Sequence, residues 1–93
     1  MPETYFDVRW PDGREETCYS PSSVVADFLQ INVEYALVDF LSRSESALSQ
    51  ASERVKQKYG YYCSSAADQL HRIKLTAALF SARDTVTVLR IYH

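Results

Sequence analysis

Apolar and polar positions along the chain change period four times, and each change marks an element. From Thr4 to Trp10 the pattern alternates, with Phe6, Val8 and Trp10 on one side and Tyr5, Asp7 and Arg9 on the other, which is the period of a half-buried strand. Pro11-Asp12-Gly13 interrupts it: proline presets a turn position and glycine accepts positive φ, so the chain should return as a second strand over Arg14 to Tyr19. Arg14, Glu15 and Glu16 make that strand the more polar one, as suits a sheet edge. Ser20-Pro21-Ser22-Ser23 reads as a helix start, with serine as cap and proline in the first helical position, and a short helix should follow to about Leu29. Gln30 to Tyr35 carries Ile31, Val33 and Tyr35 in alternation and is either an extended connector or a short strand. The connector is the favoured reading.

From about Leu37 the period becomes helical. Leu37, Leu41, Ser44, Leu48, Ala51, Val55 and Tyr59 recur at steps of three and four, followed by a second stripe of Cys63, Ala66, Leu70, Ile73, Ala77 and Phe80. Lysines crowd the end of the first stripe and Gly60 stands where a left-handed cap is wanted, so the first helix should stop at Tyr59. The second should begin at Cys63 or Ser64, with Ser65 and Asp68 spaced as a capping box, and run to about Ala82. Thr85 to Tyr92 is β-branched and aromatic, with Val86 and Val88 apolar early and Leu89 and Ile91 apolar late. That change of phase implies a bulge or burial on both faces. The expected fold is α+β: a three-stranded antiparallel sheet, made of the hairpin and the C-terminal strand, with a short helix and a two-helix antiparallel hairpin on one face. Its element order is β-β-α-α-α-β, in one domain over residues 1–93.

Composition removes several function classes. With 93 residues, 46% apolar and 24% charged, the chain can build a core without metal or crosslinks. A net charge of −2 gives no field to attract nucleic acid or an anionic membrane. No apolar run reaches the roughly 20 residues that span a bilayer, and the first residues lack the pattern of a signal peptide, so a cytoplasmic location is expected. Two cysteines do not make a disulfide framework.

Several residues could carry chemistry. Cys63 at a helix N-terminus could hold a thiolate, or could simply close the apolar stripe it begins. Cys18, Cys63, His71 and His93 match no zinc spacing, and eight residues along one helix keep Cys63 and His71 out of hydrogen-bond reach, so no metal or other cofactor is expected. Arg9, Glu16 and Cys18 could line a small ligand cleft beside the hairpin, or the charges could be a solubilising tip. With no phosphate loop, nucleophile elbow or carboxylate pair, an enzymatic activity is disfavoured. Tyr59, Tyr61 and Tyr62 around Gly60, with Trp10 nearby, place more aromatic area at a helix corner than a cap requires, which points to a protein partner or self-association, a dimer included.

Three blocks occur together: Arg9-Trp10-Pro11-Asp12-Gly13 with Glu16-Thr17-Cys18-Tyr19-Ser20-Pro21-Ser22; Asp39-Phe40-Leu41; and Ala51-Ser52-Glu53-Arg54-Val55 with Lys58-Tyr59-Gly60 and Cys63-Ser64 through Asp68-Gln69-Leu70. In this combination the chain resembles a family of small bacterial proteins named for a nitrogen-starvation response, from Met1 to about Val88. Proline and glycine are usual in that family in the connector before the long helix, and Gln30 to Ala36 departs from this, which bears only on the connector's shape. The resemblance implies a role in adaptation to scarce nitrogen. It also implies gene neighbours that include a nitrilase, a radical-SAM protein, an acetyltransferase-like protein, an aminoimidazole-ribotide-synthase-like protein and a flavoprotein. It implies no catalytic residue. Two expectations follow: a non-enzymatic accessory or regulatory protein acting by contact with products of that cluster, or a small enzyme or metabolite-binding protein with a cleft near Cys63, Arg9 and Glu16.

Overall fold

The computed structural model describes residues 3–61 and 64–93. Strands β1 (Thr4–Arg9) and β2 (Glu15–Ser20) form the hairpin, with Tyr5 opposite Tyr19 and Arg9 opposite Glu15. Its turn is closed by Trp10 N–H to the Arg14 carbonyl at 2.8 Å and Gly13 N–H to the Trp10 carbonyl at 2.9 Å. Gly13 takes φ +91°, a conformation that side chains with a Cβ resist. Strand β4 (Thr85–Tyr92) lies antiparallel on the other side of β1.

The sheet has four strands rather than three, in the order β2-β1-β4-β3. The added edge strand β3 (Glu34–Ala36) falls in the stretch expected to be a connector, and it pairs antiparallel with β4, Tyr35 opposite Val86. Its alternation was visible, but three paired residues are too few for a period to separate strand from connector. The phase change in the last strand is a bulge: Asp7 faces Arg90 and Val8 faces Val88, so Leu89 is the extra residue. Phe6, Val8, Val88 and Ile91 thereby share one face of the sheet.

Helix α1 (Leu37–Tyr59) has 23 residues and is about 35 Å long, close to the 38 Å long axis of the molecule. No side chain caps its start. Leu37 N–H donates to the Asp84 carbonyl at 2.7 Å and Val38 N–H to that of Ala82 at 3.4 Å, so the β3–β4 ladder runs on into the helix and meets donors that a helix start leaves unpaired. At the other end Gly60 has φ +85° and its N–H reaches the Lys56 carbonyl at 2.7 Å, the expected left-handed stop.

Helix α2 (Ser64–Ala77) ends five residues earlier than expected, and Ser65 lies inside it rather than capping it. Beyond Ala77 the winding tightens, with Leu79 and Phe80 N–H reaching the carbonyls of Thr76 and Ala77, and this brings Phe80 parallel to the Trp10 ring at 6.2 Å. α1 and α2 run antiparallel, as Lys74 near the end of α2 pairs with Glu45 early in α1. The short helix is a five-residue 3-10 turn, Ser23–Asp27. Its cap is Ser22, whose hydroxyl accepts Val24 N–H, so Pro21 precedes the cap instead of opening the helix.

All these elements share one core of Phe6, Val8, Trp10, Cys18, Val25, Leu29, Phe40, Leu48, Ile73, Val86 and Val88 on the helix-covered face of the sheet. On the opposite face lie Tyr5, Asp7, Arg9, Thr17, Arg90 and Tyr92, as the register requires.

Candidate functional site

The hairpin residues separate onto two faces. Glu16 sits opposite Val8 on the helix-covered face and accepts Trp10 Nε1–H at 2.9 Å; Arg9 sits opposite Glu15 on the far face and pairs with it at 3.5 Å. Arg9 and Glu16 therefore line no common cleft. Cys18 is wholly buried, and burial, reinforced by the charges of Glu16 and Asp7, pushes its thiol far above the usual range. A thiol so placed packs and does not react. Cys63 and Tyr62 lie outside the described residues. Among the described residues no three His, Cys, Asp or Glu side chains gather around a common metal position.

Trp10 is not a surface residue. It is 2% exposed, edge-on to Phe40 at 5.7 Å and parallel to Phe80, because it continues the Phe6 and Val8 side of the strand. Its aromatic area belongs to the core, and the proposed contact surface loses it.

Tyr59 and Tyr61 are exposed, at 53% and 64%, with ring centroids 6.2 Å apart. The Gly60 cap separates them, and its left-handed turn is what swings Tyr61 back beside Tyr59. Lys58 Nζ lies 5.5 Å from the Tyr59 ring centroid, a cation over an aromatic face. An exposed pair of large rings at one end of a 38 Å molecule can insert into a pocket on another protein at small cost in side-chain entropy.

The far sheet face holds a polar cluster that sequence reading missed. The Asp7 carboxylate, 8% exposed, accepts from Arg90 Nε at 2.7 Å, Thr17 hydroxyl at 2.7 Å and Tyr92 hydroxyl at 3.2 Å. Burial works to raise its pKa, but those hydrogen bonds and the Arg90 charge outweigh it and hold the carboxyl below the usual carboxylate range. Both carboxylate oxygens are engaged, by donors from β2 and β4, which makes the cluster a clasp between β1, β2 and β4. The only sequence signal for it was an acid on the polar side of a strand.

The sequence matches the family described as nitrogen starvation-induced protein NitG over residues 5–91. The chain belongs to that family. No curated protein and no solved structure matches it. NitG membership agrees with the resemblance read from the hairpin and helix-corner blocks, a family named for induction by nitrogen starvation. No helix among the described residues is long and apolar enough to cross a membrane.

Proposed function

We propose that this NitG-family chain is a non-enzymatic accessory or regulatory protein of the nitrogen-starvation response. It acts in the cytoplasm as a single α+β domain and docks by Tyr59 and Tyr61 on a protein product of a nitrilase-type gene cluster. The observation that supports this is the exposed ring pair at the capped end of α1, which lies outside the buried core of the described residues. The cleft reading has less support, because Arg9 and Glu16 point to opposite sheet faces and Cys18 is sealed in the core.

The test is purification of the tagged protein from nitrogen-starved cells with mass spectrometry of what accompanies it. A product of the gene cluster should co-purify with the wild-type chain and be lost from Tyr59→Ser/Tyr61→Ser. Recovery of the chain alone, or only of further copies of itself, would overturn the accessory role.

A further inference from the structure

Helix α2 presents two stripes at helical spacing. Ala66, Ile73 and Ala77 are buried; Ser65, Asp68, Gln69 and Arg72, at steps of three and four, form a polar stripe beside the outer edge of β2. With Glu3, Tyr5 and Tyr19 this stripe lines a groove of about 360 Å3.

Gln69 is the built part of the groove. It is only 5% exposed, and its Oε1 accepts the Tyr19 backbone N–H at 3.0 Å, capping a donor on an edge strand that would otherwise be open to pairing. Because the partner is a donor, the oxygen end of the amide is fixed, so Nε2 is the end left for the groove. Its two N–H groups meet no acceptor among the described residues and open onto the groove, where water or a ligand can receive them. Around it stand one cation and two anions. Arg72 and Asp68 enter no ion pair among the described residues, and Glu3 accepts only the Tyr5 hydroxyl, at 3.4 Å.

We infer that this groove binds a small zwitterion of the amino-acid class. Arg72 and Gln69 Nε2 receive its carboxylate, and Asp68 and Glu3 receive its ammonium. The charge pattern selects this class: a simple anion would face two carboxylates, and a simple cation would face Arg72 and make no use of the Gln69 donors. The volume suits a ligand of amino-acid size, at the small end of ligand pockets. The inference is independent of the tyrosine corner, which lies at the other end of the α1–α2 connection.

The test is NMR titration of the 15N-labelled full chain with L-alanine, with N-acetyl-L-alanine, which lacks the ammonium, and with L-alaninamide, which lacks the carboxylate. L-Alanine should shift the Gln69 side-chain NH2 and Tyr19 amide signals saturably. Each analogue should bind about tenfold more weakly, the expected effect of losing one charge-assisted hydrogen bond. Arg72→Ala and Asp68→Asn, both at exposed positions, should weaken L-alanine binding similarly while leaving the remaining spectrum in place. Absence of a saturable Gln69 shift, equal binding of the three compounds, or unchanged binding by Arg72→Ala would overturn the assignment. The analogue series reads the proposal on the unmodified chain, so it stands even if a variant fails to fold.

Discussion

Arg90 Nε donates to Asp7 Oδ2 over 2.7 Å, immediately beside the bulge that lets β4 keep Val88 and Ile91 on the core face. Were Leu89 paired in a regular ladder instead of bulged, it would face Asp7, and Arg90 and Tyr92 would fall on the helix-covered face with Phe6. The bulge thus decides both the packing of the last strand and the existence of the polar clasp.

The clasp makes stability depend on acid. Asp7 titrates below the usual carboxylate range in the folded chain, so its contribution is complete above the pKa of an unfolded aspartate and is lost as pH falls through the lower folded value. Urea unfolding at falling pH should show this loss in the wild type and a shallower acid dependence in Asp7→Asn. At neutral pH Asp7→Ala should cost on the order of 1–2 kcal/mol, a value kept low because Arg90 is largely exposed and its charge is screened.

Trp10 is a core residue, so removing it should unfold rather than unbind. Trp10→Ala should destabilise the chain by about 3–5 kcal/mol in chemical denaturation, the range for deleting a large buried aromatic side chain. A loss below about 1 kcal/mol would mean that the ring is not packed between Phe40 and Phe80.

Ser44 lies in the buried stripe of α1, and its hydroxyl is the buried side-chain polar atom without a partner among the described residues. Ser44→Ala removes an unmet polar group and improves helix propensity. The unfolding midpoint should therefore stay the same or rise, with a gain of up to about 1 kcal/mol. A clear drop would show that the hydroxyl is satisfied.

Cys18 should behave as a silent thiol. In a Cys63→Ser chain, a thiol reagent should label Cys18 only as fast as the protein unfolds, and at once in denaturant. Rapid labelling of the native chain would place it at an open surface.

Much of this fold was legible in the residues. The alternation of Thr4 to Trp10, the Pro11-Asp12-Gly13 reversal, the Gly60 stop and the phase change at Leu89 are local signals, and each corresponds to the element it implied. The misses depend on distant partners. β3 exists because β4 offers it an edge, and α1 starts without a capping side chain because Asp84, 47 positions away, supplies a carbonyl. α2 ends early because Phe80 turns onto Trp10. For the site, Tyr59 and Tyr61 could be read as exposed rings beside a helix cap. The burial of Trp10 was implied by its phase with Phe6 and Val8 and was outweighed by its chemistry as an interface residue. Gln69 gave only a polar stripe; its bond to Tyr19, 50 positions away, has no local signature.

The most direct measurement is the affinity of the purified chain for the protein partner proposed above, compared with that of Tyr59→Ser/Tyr61→Ser by calorimetry. The account predicts a loss of roughly thirtyfold or more, as expected when an aromatic hot spot is removed, with the unfolding midpoint almost unchanged because both rings are exposed. Equal affinities for the two proteins would contradict it.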